Sequence, residues 1–383
     1  MKARRVSKPL LRVGLDARLA FQRGVGTYTA QLAIALARHD RDIELTLINA
    51  PSALKNALQG ASTEFLDVPL LNAALYEQIR LPALAQKEKW SLLHYTDNSG
   101  SIVWTTPYVV TLHDAMMTRP IAETFDGTTL RQCLVGFYKR WCAAPSGRKA
   151  KLVLTVSEAA KRDLVERIGL PKEKIRVVYE GVDAESFVRP RVFRKSPRKC
   201  PLVLVQGALD KRKNIPGIFE TAARLKAKRV ECSFRVIGCS REDFTRAGYV
   251  RLAESLGVAD RVEWAGQVPS DGMAREYWNA DVFFYPSLWE GFGLPVLEAF
   301  AAGTPVVASN TTSIPEVAGK AACLADPTNP EELALAIQRV LRLPKLRKTL
   351  ITKGFQQADR FTWEKTALKT AEIYREAVQG VGR

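Results

Sequence analysis

One segment of the chain, Asp281-Val-Phe-Phe-Tyr-Pro-Ser-Leu-Trp-Glu-Gly-Phe-Gly-Leu-Pro-Val-Leu-Glu298, joins a strand signal directly to a helix signal. The apolar run 281–286 is typical of a buried strand. Pro295 suits the first position of a helix, because a backbone N–H would have no helical partner there. Since a strand followed at once by a helix is the repeating unit of an α/β sheet, the segment predicts that class of fold.

The connection between this strand and helix carries two glycines and two flanking carboxylates. Glycines let a backbone approach a ligand closely, and the amides of a helix N-terminus bind anionic or hydroxyl-rich groups. The candidate binding residues here are Glu290, Gly291, Phe292, Gly293, Leu294 and Glu298. The alternative interpretation is a structural connection whose glutamate stabilises the helix dipole.

Similar apolar runs alternate with segments of helical period along the whole chain, which predicts parallel sheets with helices on both faces. The predicted fold class is α/β, with two doubly wound, Rossmann-like domains facing across a cleft. Residues 187–199 are charged, contain two prolines and have no usable period, and are interpreted as a linker. The predicted parts are an N-terminal domain over 1–186, a linker over 187–199, a C-terminal domain over 200–360 and a C-terminal helix over 361–383 that packs back on the N-terminal domain.

Composition narrows the class of protein. The 383 residues are of ordinary globular composition, and the six cysteines form no Cys-x-x-Cys pair, which argues against a disulfide scaffold and structural zinc. Three histidines make a histidine-rich metal site improbable, and no run is long and apolar enough for a membrane span. The net charge of +17 favours a phosphate-bearing substrate, an anionic membrane or nucleic acid, with a solvated basic surface as the alternative.

A basic loop follows another predicted strand, Leu202–Gln206. It reads Gly-Ala-Leu-Asp-Lys-Arg-Lys-Asn from Gly207 onward. Gly207 permits a tight turn, and Arg212 with Lys213 can neutralise a diphosphate, the arginine as a bidentate fork and the lysine as a point charge. The alternative is a solvated basic loop.

Two weaker signals lie in the first half. Gly24 and Gly26 belong to a glycine-rich turn, 21–28, that opens a helix and is compatible with phosphate or sugar contact. The turn lacks the third glycine of the dinucleotide fingerprint. His113 ends the predicted strand Tyr108–Leu112, where a histidine is either a ligand-binding or a structural residue.

These features together resemble the family 4 retaining glycosyltransferases of GT-B fold, over nearly the whole chain. The hallmark of that family, two glutamates separated by seven residues, is similar to Glu290 and Glu298, and the Arg-Lys-Asn loop of one subset is similar to 212–214. Further similar segments are Val109–Asp114, Thr155–Glu158, Phe300–Ser309, Ile314–Gly319 and Phe361–Lys365.

The resemblance implies a role for each matching residue. Glu290 and the amides of residues 291–293 would hold the donor sugar, and Glu298 the nucleotide ribose. Arg212 and Lys213 would hold the diphosphate, and His113 would contact the sugar near its anomeric centre. Gly24 and Gly26 would lie by the diphosphate and the acceptor. The N-terminal domain would then bind the acceptor and the C-terminal domain the nucleotide sugar.

The resemblance also implies transfer of a hexose with retained configuration and no divalent metal or other cofactor. GDP-mannose is the first choice of donor, because members with the Arg-Lys-Asn loop resemble O-antigen mannosyltransferases, and UDP-glucose is the alternative. Many members carry an arginine where this chain has Ala208, so which cation dominates at the diphosphate stays open. The acceptor would be a saccharide or a lipid-linked saccharide.

The sequence leaves alternatives for the function and gives expectations for the location of the protein. A nucleotide-sugar hydrolase or epimerase would share the fold, and nucleic-acid binding is disfavoured because the cations lack interleaved aromatics. The absence of a predicted membrane span or signal peptide favours a cytoplasmic protein. Residues 137–151 combine aromatic side chains with cations, notably Lys139, Arg140, Arg148, Lys149 and Lys151. This combination predicts reversible contact with an anionic membrane. The alternative is a helix whose aromatics face the core and whose cations face water.

Overall fold

A computed structural model describes residues 10–22, 24–70, 72–103, 106–118 and 130–379, without the side chains of 117 and 130–133. Arg23 of the glycine-rich turn and both ends of the predicted domain ranges, 1–9 and 380–383, lie outside the described residues. The chain forms two compact units. The first contains residues up to 118, then 134–181 and those from 363 onward, and the described residues of the second are 130–133 and 182–362.

Within the described residues, the first unit holds a seven-stranded parallel sheet in the order β3-β2-β1-β4-β5-β6-β7. Its strands are β1 (Leu11–Asp16), β2 (Ile43–Ile48), β3 (Thr63–Leu66), β4 (Leu92–Tyr95), β5 (Tyr108–Thr111), β6 (Leu152–Thr155) and β7 (Ile175–Val177). Its helices are α1 (Val25–His39), α2 (Ser52–Ala57), α3 (Ala73–Leu75), α4 (Leu81–Lys87), α5 (Leu130–Lys149) and α6 (Glu158–Ile168), with a π-helical turn at Tyr76–Arg80.

Local chemistry explains where these elements begin and end. The hydroxyl of Ser157 accepts a hydrogen bond from the amide of Ala160 at 2.9 Å and so caps the start of α6. Gly169 ends the same helix with a left-handed φ of 72°. Strand β3 was not predicted, because its four residues are partly exposed at the sheet edge and lack a buried apolar run.

Within the described residues, the second unit holds a six-stranded parallel sheet in the order β10-β9-β8-β11-β12-β13. Its strands are β8 (Leu202–Gln206), β9 (Ser233–Ile237), β10 (Val262–Gly266), β11 (Val282–Tyr285), β12 (Val306–Ser309) and β13 (Ala322–Ala325). Its helices are α7 (Ile215–Ala227), α8 (Arg241–Arg246), α9 (Tyr249–Ser255), α10 (Met273–Asn279), α11 (Leu294–Ala301), α12 (Ile314–Ala318), α13 (Pro330–Arg342) and α14 (Pro344–Ala358).

The core of the second unit explains its stability. Val203 and Val205 of β8 and Phe284 of β11 are fully buried, together with Phe219 of α7 and Ile337 of α13. Each fully buried apolar side chain contributes roughly 1.5–3 kcal/mol relative to an exposed one. The two central strands are therefore the most firmly held part of the unit, and the loops at their carboxyl ends start from fixed positions.

The last described helix, α15 (Trp363–Gln379), belongs to the first unit. The hydroxyl of Tyr374 lies 2.6 Å from Nδ1 of His94, and both residues are fully buried. The hydroxyl of Thr366 donates to the carbonyl of Tyr179 at 2.8 Å, and Arg375 pairs with Asp40 at 2.7 Å. Buried and surface contacts together fix this helix to the first unit.

The predicted linker, 187–199, is packed onto the second unit. The indole N–H of Trp278 donates to the carbonyl of Phe187 at 2.7 Å, and the ring of Phe193 meets that indole edge-on at 5.2 Å. Lys195 pairs with Asp281 at 2.8 Å. The segment has no regular period because side-chain contacts hold it, and such contacts leave no periodic signal in a sequence. No helix in the described part of the chain combines the length and apolar character that crossing a bilayer requires.

Candidate active site

The candidate site of the second unit lies at the carboxyl ends of β8 and β11. The strand order reverses between these neighbours, and ligands of open α/β sheets bind in the crevice at such a point. The loop 207–214 follows β8, and the loop 286–293 follows β11. Both segments that the sequence singled out therefore reach the same place.

Lys213 and Glu290 form an ion pair across this crevice. The ammonium Nζ of Lys213 donates to Oε1 of Glu290 at 2.7 Å and to the hydroxyl of Tyr285 at 2.6 Å. It also lies 4.6 Å from the centre of the Tyr285 ring, within the range of a cation–π contact. The Glu290 residue is buried, with 8% of its surface exposed, so the pair is well shielded from solvent.

The ionisation of Glu290 is set by these neighbours. Burial alone would raise the pKa of its carboxyl, but the charges of Lys213 and Arg212 outweigh burial and lower the pKa to about 2. The site therefore holds a carboxylate at neutral pH. A buried carboxylate beside a lysine offers hydrogen-bond acceptors next to a cation, an arrangement suited to hydroxyl and phosphate groups on one ligand.

Arg212 lies in a 3-10 turn, Lys211–Lys213, that begins at Asp210. Asp210 is buried, accepts the amide of Arg212 at 3.0 Å and pairs with its guanidinium at 2.6 Å. The carbonyl of Arg212 accepts the amide of Leu288 at 2.7 Å, which ties this turn to the loop after β11. Asp210 thus orients a cation predicted to bind diphosphate, a contact that the sequence did not indicate.

Asn214, the last residue of the Arg-Lys-Asn loop, has a structural position. Its backbone is left-handed, with φ of 54°, and its side chain caps α7 through the amide of Gly217 at 3.3 Å. The side-chain amide also donates to the carbonyls of Pro286 at 3.2 Å and Pro327 at 2.7 Å. One side chain therefore joins the loops that follow β8, β11 and β13.

The backbone around Glu290 is held from the loop before α12. The amide of Glu290 donates to the Thr312 hydroxyl at 3.1 Å, and the Ser313 hydroxyl donates to the carbonyls of Glu290 at 2.9 Å and Phe292 at 2.7 Å. Gly293 has φ of 114°, and a Cβ there would lie 2.7 Å from Cδ1 of Ile314. The glycine is required by both conformation and space.

Helix α11 begins at Leu294, with Gly293 as its N-cap. Pro295 therefore occupies the second helical position, one residue later than the first position that the sequence predicted. Phe292 is buried, and Gly291 and Leu294 are partly buried. Glu298 accepts the hydroxyl of Tyr277 at 2.8 Å. Burial raises the pKa of Glu298, although the tyrosine hydrogen bond opposes this. Tyr277 on α10 is the partner that the sequence did not indicate.

Gly207 is required by packing at the end of β8. A Cβ there would lie 2.9 Å from Cγ1 of Val236 and 3.1 Å from the ring of Phe244. Its carbonyl oxygen would lie 2.0 Å from a Cβ at Gly238, which has φ of 123°. The role observed for Gly207 is close approach of two loops, and its predicted contact with a ligand stays a prediction.

The glycines of the first unit frame the start of α1. Gly24 is the N-cap of this helix with φ of 67°, and the space a Cβ would take there is open. A Cβ on Gly26 would lie 2.2 Å from the carbonyl oxygen of Leu19, so only glycine fits. The helix start is therefore built as a tight turn, as predicted.

His113, also in the first unit, is buried beside a carboxylate. Its Nδ1 lies 3.6 Å from Oε1 of Glu180, its Nε2 lies 3.0 Å from the carbonyl oxygen of Thr96, and the ring of Tyr28 meets it edge-on at 4.8 Å. Burial would lower the pKa of the imidazole, but Glu180 outweighs this and raises it. The sequence indicated His113 and missed Glu180, which follows β7 outside any motif.

The predicted residues thus fall into two sets. In the second unit the structure brings Arg212, Lys213 and Glu290 together, with Glu298 in the helix that follows. In the first unit Gly24 and Gly26 begin α1, and His113 follows β5. The missed partners are Asp210, Tyr277, Tyr285, Thr312, Ser313 and Glu180. Most are tyrosines or short hydroxyl and acidic residues on other elements, so local spacing could not reveal them.

Two family models match the chain in tandem. The model of the glycosyl transferases group 1 matches residues 189–357, and that of Glycosyltransferase Family 4 matches residues 22–186. The two matches correspond closely to the two halves of the chain.

Relatives carry glycosyltransferase names. The chain is 31% identical over 238 residues to the O-antigen chain mannosyltransferase B of Escherichia coli, which covers 59% of this chain and 61% of the relative. It is 28% identical over 284 residues to the MMP alpha-(1->4)-mannosyltransferase of Mycolicibacterium hassiacum, covering 72% of this chain and 66% of the relative. The chain therefore spans less than two thirds of the length of either relative.

The fold has close neighbours among solved structures. HepE of Anabaena, solved in complex with UDP-glucose, superposes with a TM-score of 0.71 over 96% of this chain and 100% of its own, at 17% identity. This likeness concerns the fold, and it agrees with the two parallel-sheet α/β units described above. With both family models matched in tandem and this fold, the chain belongs to the family 4, group 1 glycosyltransferases of GT-B architecture.

Proposed function

We propose that the chain transfers a hexose from a nucleoside diphosphate sugar to a hydroxyl of a saccharide or lipid-linked saccharide, in the synthesis of a cell-surface polysaccharide. The observation that carries the proposal is the buried Lys213–Glu290 pair at the carboxyl ends of β8 and β11. It offers a cation for phosphate and a carboxylate for sugar hydroxyls at adjacent positions.

Each residue of the pair has capacity for a ligand. A lysine ammonium carries three N–H donors, and among the described residues Lys213 directs two of them to Glu290 and Tyr285. The third can reach a phosphate oxygen. A carboxylate has about four acceptor positions, so Glu290 can receive sugar hydroxyls while it keeps Lys213 in place. Arg212 adds a second cation, already oriented by Asp210.

The proposed reaction retains the anomeric configuration. The bond between the sugar and the diphosphate breaks while the acceptor oxygen approaches from the same face, and the leaving diphosphate takes the acceptor proton. Charge develops on the diphosphate, so Arg212 and Lys213 supply the main electrostatic stabilisation, without a divalent metal. Loss of one such donor typically lowers kcat about 10²–10³-fold. His113 would contact the sugar, and Glu298 the ribose.

GDP-mannose is the proposed donor, and the mannosyltransferase names of two relatives support it. UDP-glucose is the alternative, supported by the complex of the structural neighbour HepE. A melting-temperature screen against nucleoside diphosphates separates these bases. A nucleotide at 100 times its Kd stabilises the chain by about 2.7 kcal/mol, which a melt resolves.

The reaction itself is tested with the preferred donor and a panel of saccharide acceptors, by proton NMR of the product anomer. Transfer with retained configuration that persists in EDTA is expected. Release of free sugar without any acceptor requirement would indicate the hydrolase alternative, and a strict need for magnesium or manganese would contradict the role given to the cations.

We also propose that α5 contacts an anionic membrane. Leu134, Phe137 and Trp141 lie at helical spacing and are exposed, the last two by 68% and 62%. Tyr138 is the one aromatic residue of this described stretch that points inward, since its hydroxyl donates to Glu77 at 2.9 Å. Apolar side chains at a headgroup surface gain from burial, and each nearby cation adds roughly 1 kcal/mol on anionic lipid.

The cations of this helix differ in their availability. Lys139 pairs with Asp97, so we exclude it from the membrane contact. Arg140, Arg148 and Lys149 of α5 are exposed at the surface, and so is Lys151, just beyond the end of the helix. Co-sedimentation with anionic vesicles at low and high salt tests the contact. Binding should fall when Phe137 and Trp141 become serine, and binding that survives this change would refute the role of α5.

A further inference from the structure

A concave basic surface lies at the amino-terminal edge of the second sheet. It consists of two adjoining pockets of about 450 and 330 Å³ that share Ser196, Arg198, Lys199 and Cys200. Both lie where β8 begins, whereas the candidate active site lies where β8 ends. Five residues of strand separate the two places by roughly 15 Å. We call the smaller pocket the basic pocket.

The basic pocket carries an excess of positive charge. Among the described residues that line it, Lys195, Arg198, Lys199 and Arg347 are cations and Asp281 is a carboxylate. Lys195, Arg347 and Arg198 approach that carboxylate at 2.8, 3.4 and 3.8 Å. Lys199 forms no ion pair with any residue that the structure describes. The lining of the basic pocket thus holds four cations and one carboxylate.

Asp281 is itself committed to the fold. Its Oδ2 accepts the amide of Leu202 at 2.9 Å, and its own amide donates to the carbonyl of Leu202 at 2.8 Å, which fixes the starts of β8 and β11 to each other. Lys195 is likewise fixed, because its ammonium also donates to the carbonyl of Ala280 at 2.8 Å. The cations are therefore held close together by anchors that leave most of their charge uncompensated.

Burial and the neighbouring cations both act on the ionisation of this group. The pKa of Lys195 is lowered, by burial and by Arg347 and Arg189, although Asp281 opposes this. Burial and Arg347 lower the pKa of Arg189 as well. An anion entering the basic pocket would relieve this repulsion.

The chemistry of the lining specifies the kind of anion. None of the described residues lining either pocket is aromatic, so a nucleobase would find no ring on which to stack. In the larger pocket, Arg235 is held in a two-point contact by Glu276 at 2.7 and 3.0 Å and is not available to a ligand. The remaining lysine and arginine donors suit phosphate oxygens, which accept charge-assisted hydrogen bonds from several cations at once.

We propose that the basic pocket binds a small anion with two or more linked phosphate groups, either a soluble oligophosphate or the phosphorylated headgroup of a lipid. The proposal is independent of the transferase function, because it rests on residues at the opposite edge of the sheet. Such a site would make the enzyme responsive to a second phosphate-bearing compound besides the one bound at the active site.

Calorimetric titration of the full chain with pyrophosphate tests the proposal. The test variant combines Lys199→Ala and Arg347→Ala, and the matched control combines Lys345→Ala and Lys348→Ala, which remove the same charge from the exposed surface of α14. All variants also carry Lys213→Ala, which removes a cation proposed to bind pyrophosphate at the candidate active site. Binding at the basic pocket can then be measured separately from binding at the active site. Melting curves verify that each variant is folded.

We expect pyrophosphate binding in the Lys213→Ala background to weaken at least tenfold in the test variant and less than threefold in the control. Equal weakening in both variants would show attraction by general charge only and would overturn the proposal. Unchanged binding in the test variant, or no binding in the Lys213→Ala background, would also overturn it.

A second arm identifies the source of the phosphate. Co-sedimentation with phosphatidylcholine vesicles that contain a lipid with a diphosphate headgroup is measured for the same test and control variants, with Phe137→Ser and Trp141→Ser present to remove the contact of α5. Loss of both pyrophosphate and vesicle binding in the test variant assigns a lipid headgroup. Loss of pyrophosphate binding alone assigns a soluble oligophosphate.

Discussion

Replacement of Glu290 by glutamine isolates the charge of the buried pair. Glutamine has the shape of a protonated glutamate, so the substitution leaves the volume of the site unchanged and removes only the negative charge. Lys213, with 14% of its side chain exposed, then lies beside Tyr285 without its carboxylate. Both the stability of the second unit and its reaction with substrate should respond.

The expected loss of stability follows from the ionisation of Glu290. Its pKa falls from an ordinary 4.5 to about 2 in the folded chain. Each pKa unit corresponds to about 1.4 kcal/mol, so the carboxylate stabilises the fold by about 3 kcal/mol at neutral pH. Because the folded pKa is the lower one, this contribution is fully present above pH 4.5 and is lost as the pH falls toward 2. By pH 3 less than about half of it should remain.

The assay is urea unfolding followed by tryptophan fluorescence at pH 7, 5 and 3, with wild type and variant compared at each pH. Glu254→Gln provides the control, because Glu254 is an exposed residue of the same unit and should change stability by less than about 0.5 kcal/mol. In parallel, Glu290→Gln should reduce transfer by about 10²-fold or more and change nucleoside diphosphate affinity less than threefold, since its proposed partner is the sugar.

Two results would refute this reasoning. A stability loss below about 1 kcal/mol at pH 7 would mean that the pair is solvated enough to contribute little. A loss of similar size at pH 7 and pH 3 would mean that the effect comes from packing and not from charge. In the activity assay, an equal loss of nucleotide affinity and of transfer would contradict the assignment of Glu290 to the sugar.

Three further predictions concern other residues of the site. Glu298→Gln should weaken nucleoside diphosphate affinity at least tenfold in a calorimetric titration, and unchanged affinity would place the ribose elsewhere. Glu180→Gln should lower the pKa of His113, because burial is then opposed by the Thr96 carbonyl and Asp97 without the larger contribution of Glu180. An NMR titration of the imidazole checks this, and the stability difference from wild type should be largest below pH 6.5 and shrink at higher pH. Asn214→Ala should destabilise the second unit by about 1–3 kcal/mol in urea unfolding, because two carbonyls and a helix start lose their partner; a loss below about 0.5 kcal/mol would show that water replaces it.

The sequence predicted the sheets well because their central strands are buried on both faces. Such strands are continuous apolar runs, and Leu202–Gln206 was predicted to the residue. Edge strand β3 was not identified, because it is half polar. The segment 187–199, predicted as a linker, is held on the second unit by side-chain contacts that leave no period in the sequence. The fold is therefore easiest to predict from the sequence where burial of a strand on both faces produces a continuous apolar run.

The candidate site was predictable to the extent that it follows strands directly. Lys213 and Glu290 were both identified, but nothing in their separation along the chain indicates that they form an ion pair. Their meeting depends on β8 and β11 being neighbours, which is a property of the sheet order. The positioning residues Asp210 and Thr312 were not identified, because a capping or hydroxyl contact leaves no pattern in the sequence beyond the residue type itself.

Helix α15 has a consequence for the biosynthesis of the protein. It supplies Tyr374 to the buried His94, yet the entire second unit is translated between them. The first unit therefore cannot close its core on the ribosome until residues 363–379 have emerged, whereas the described residues of the second unit, 130–133 and 182–362, have all been translated before that point. The half of the protein that is made first would then be the half that finishes folding last, and during this interval its exposed apolar surface is a target for chaperones.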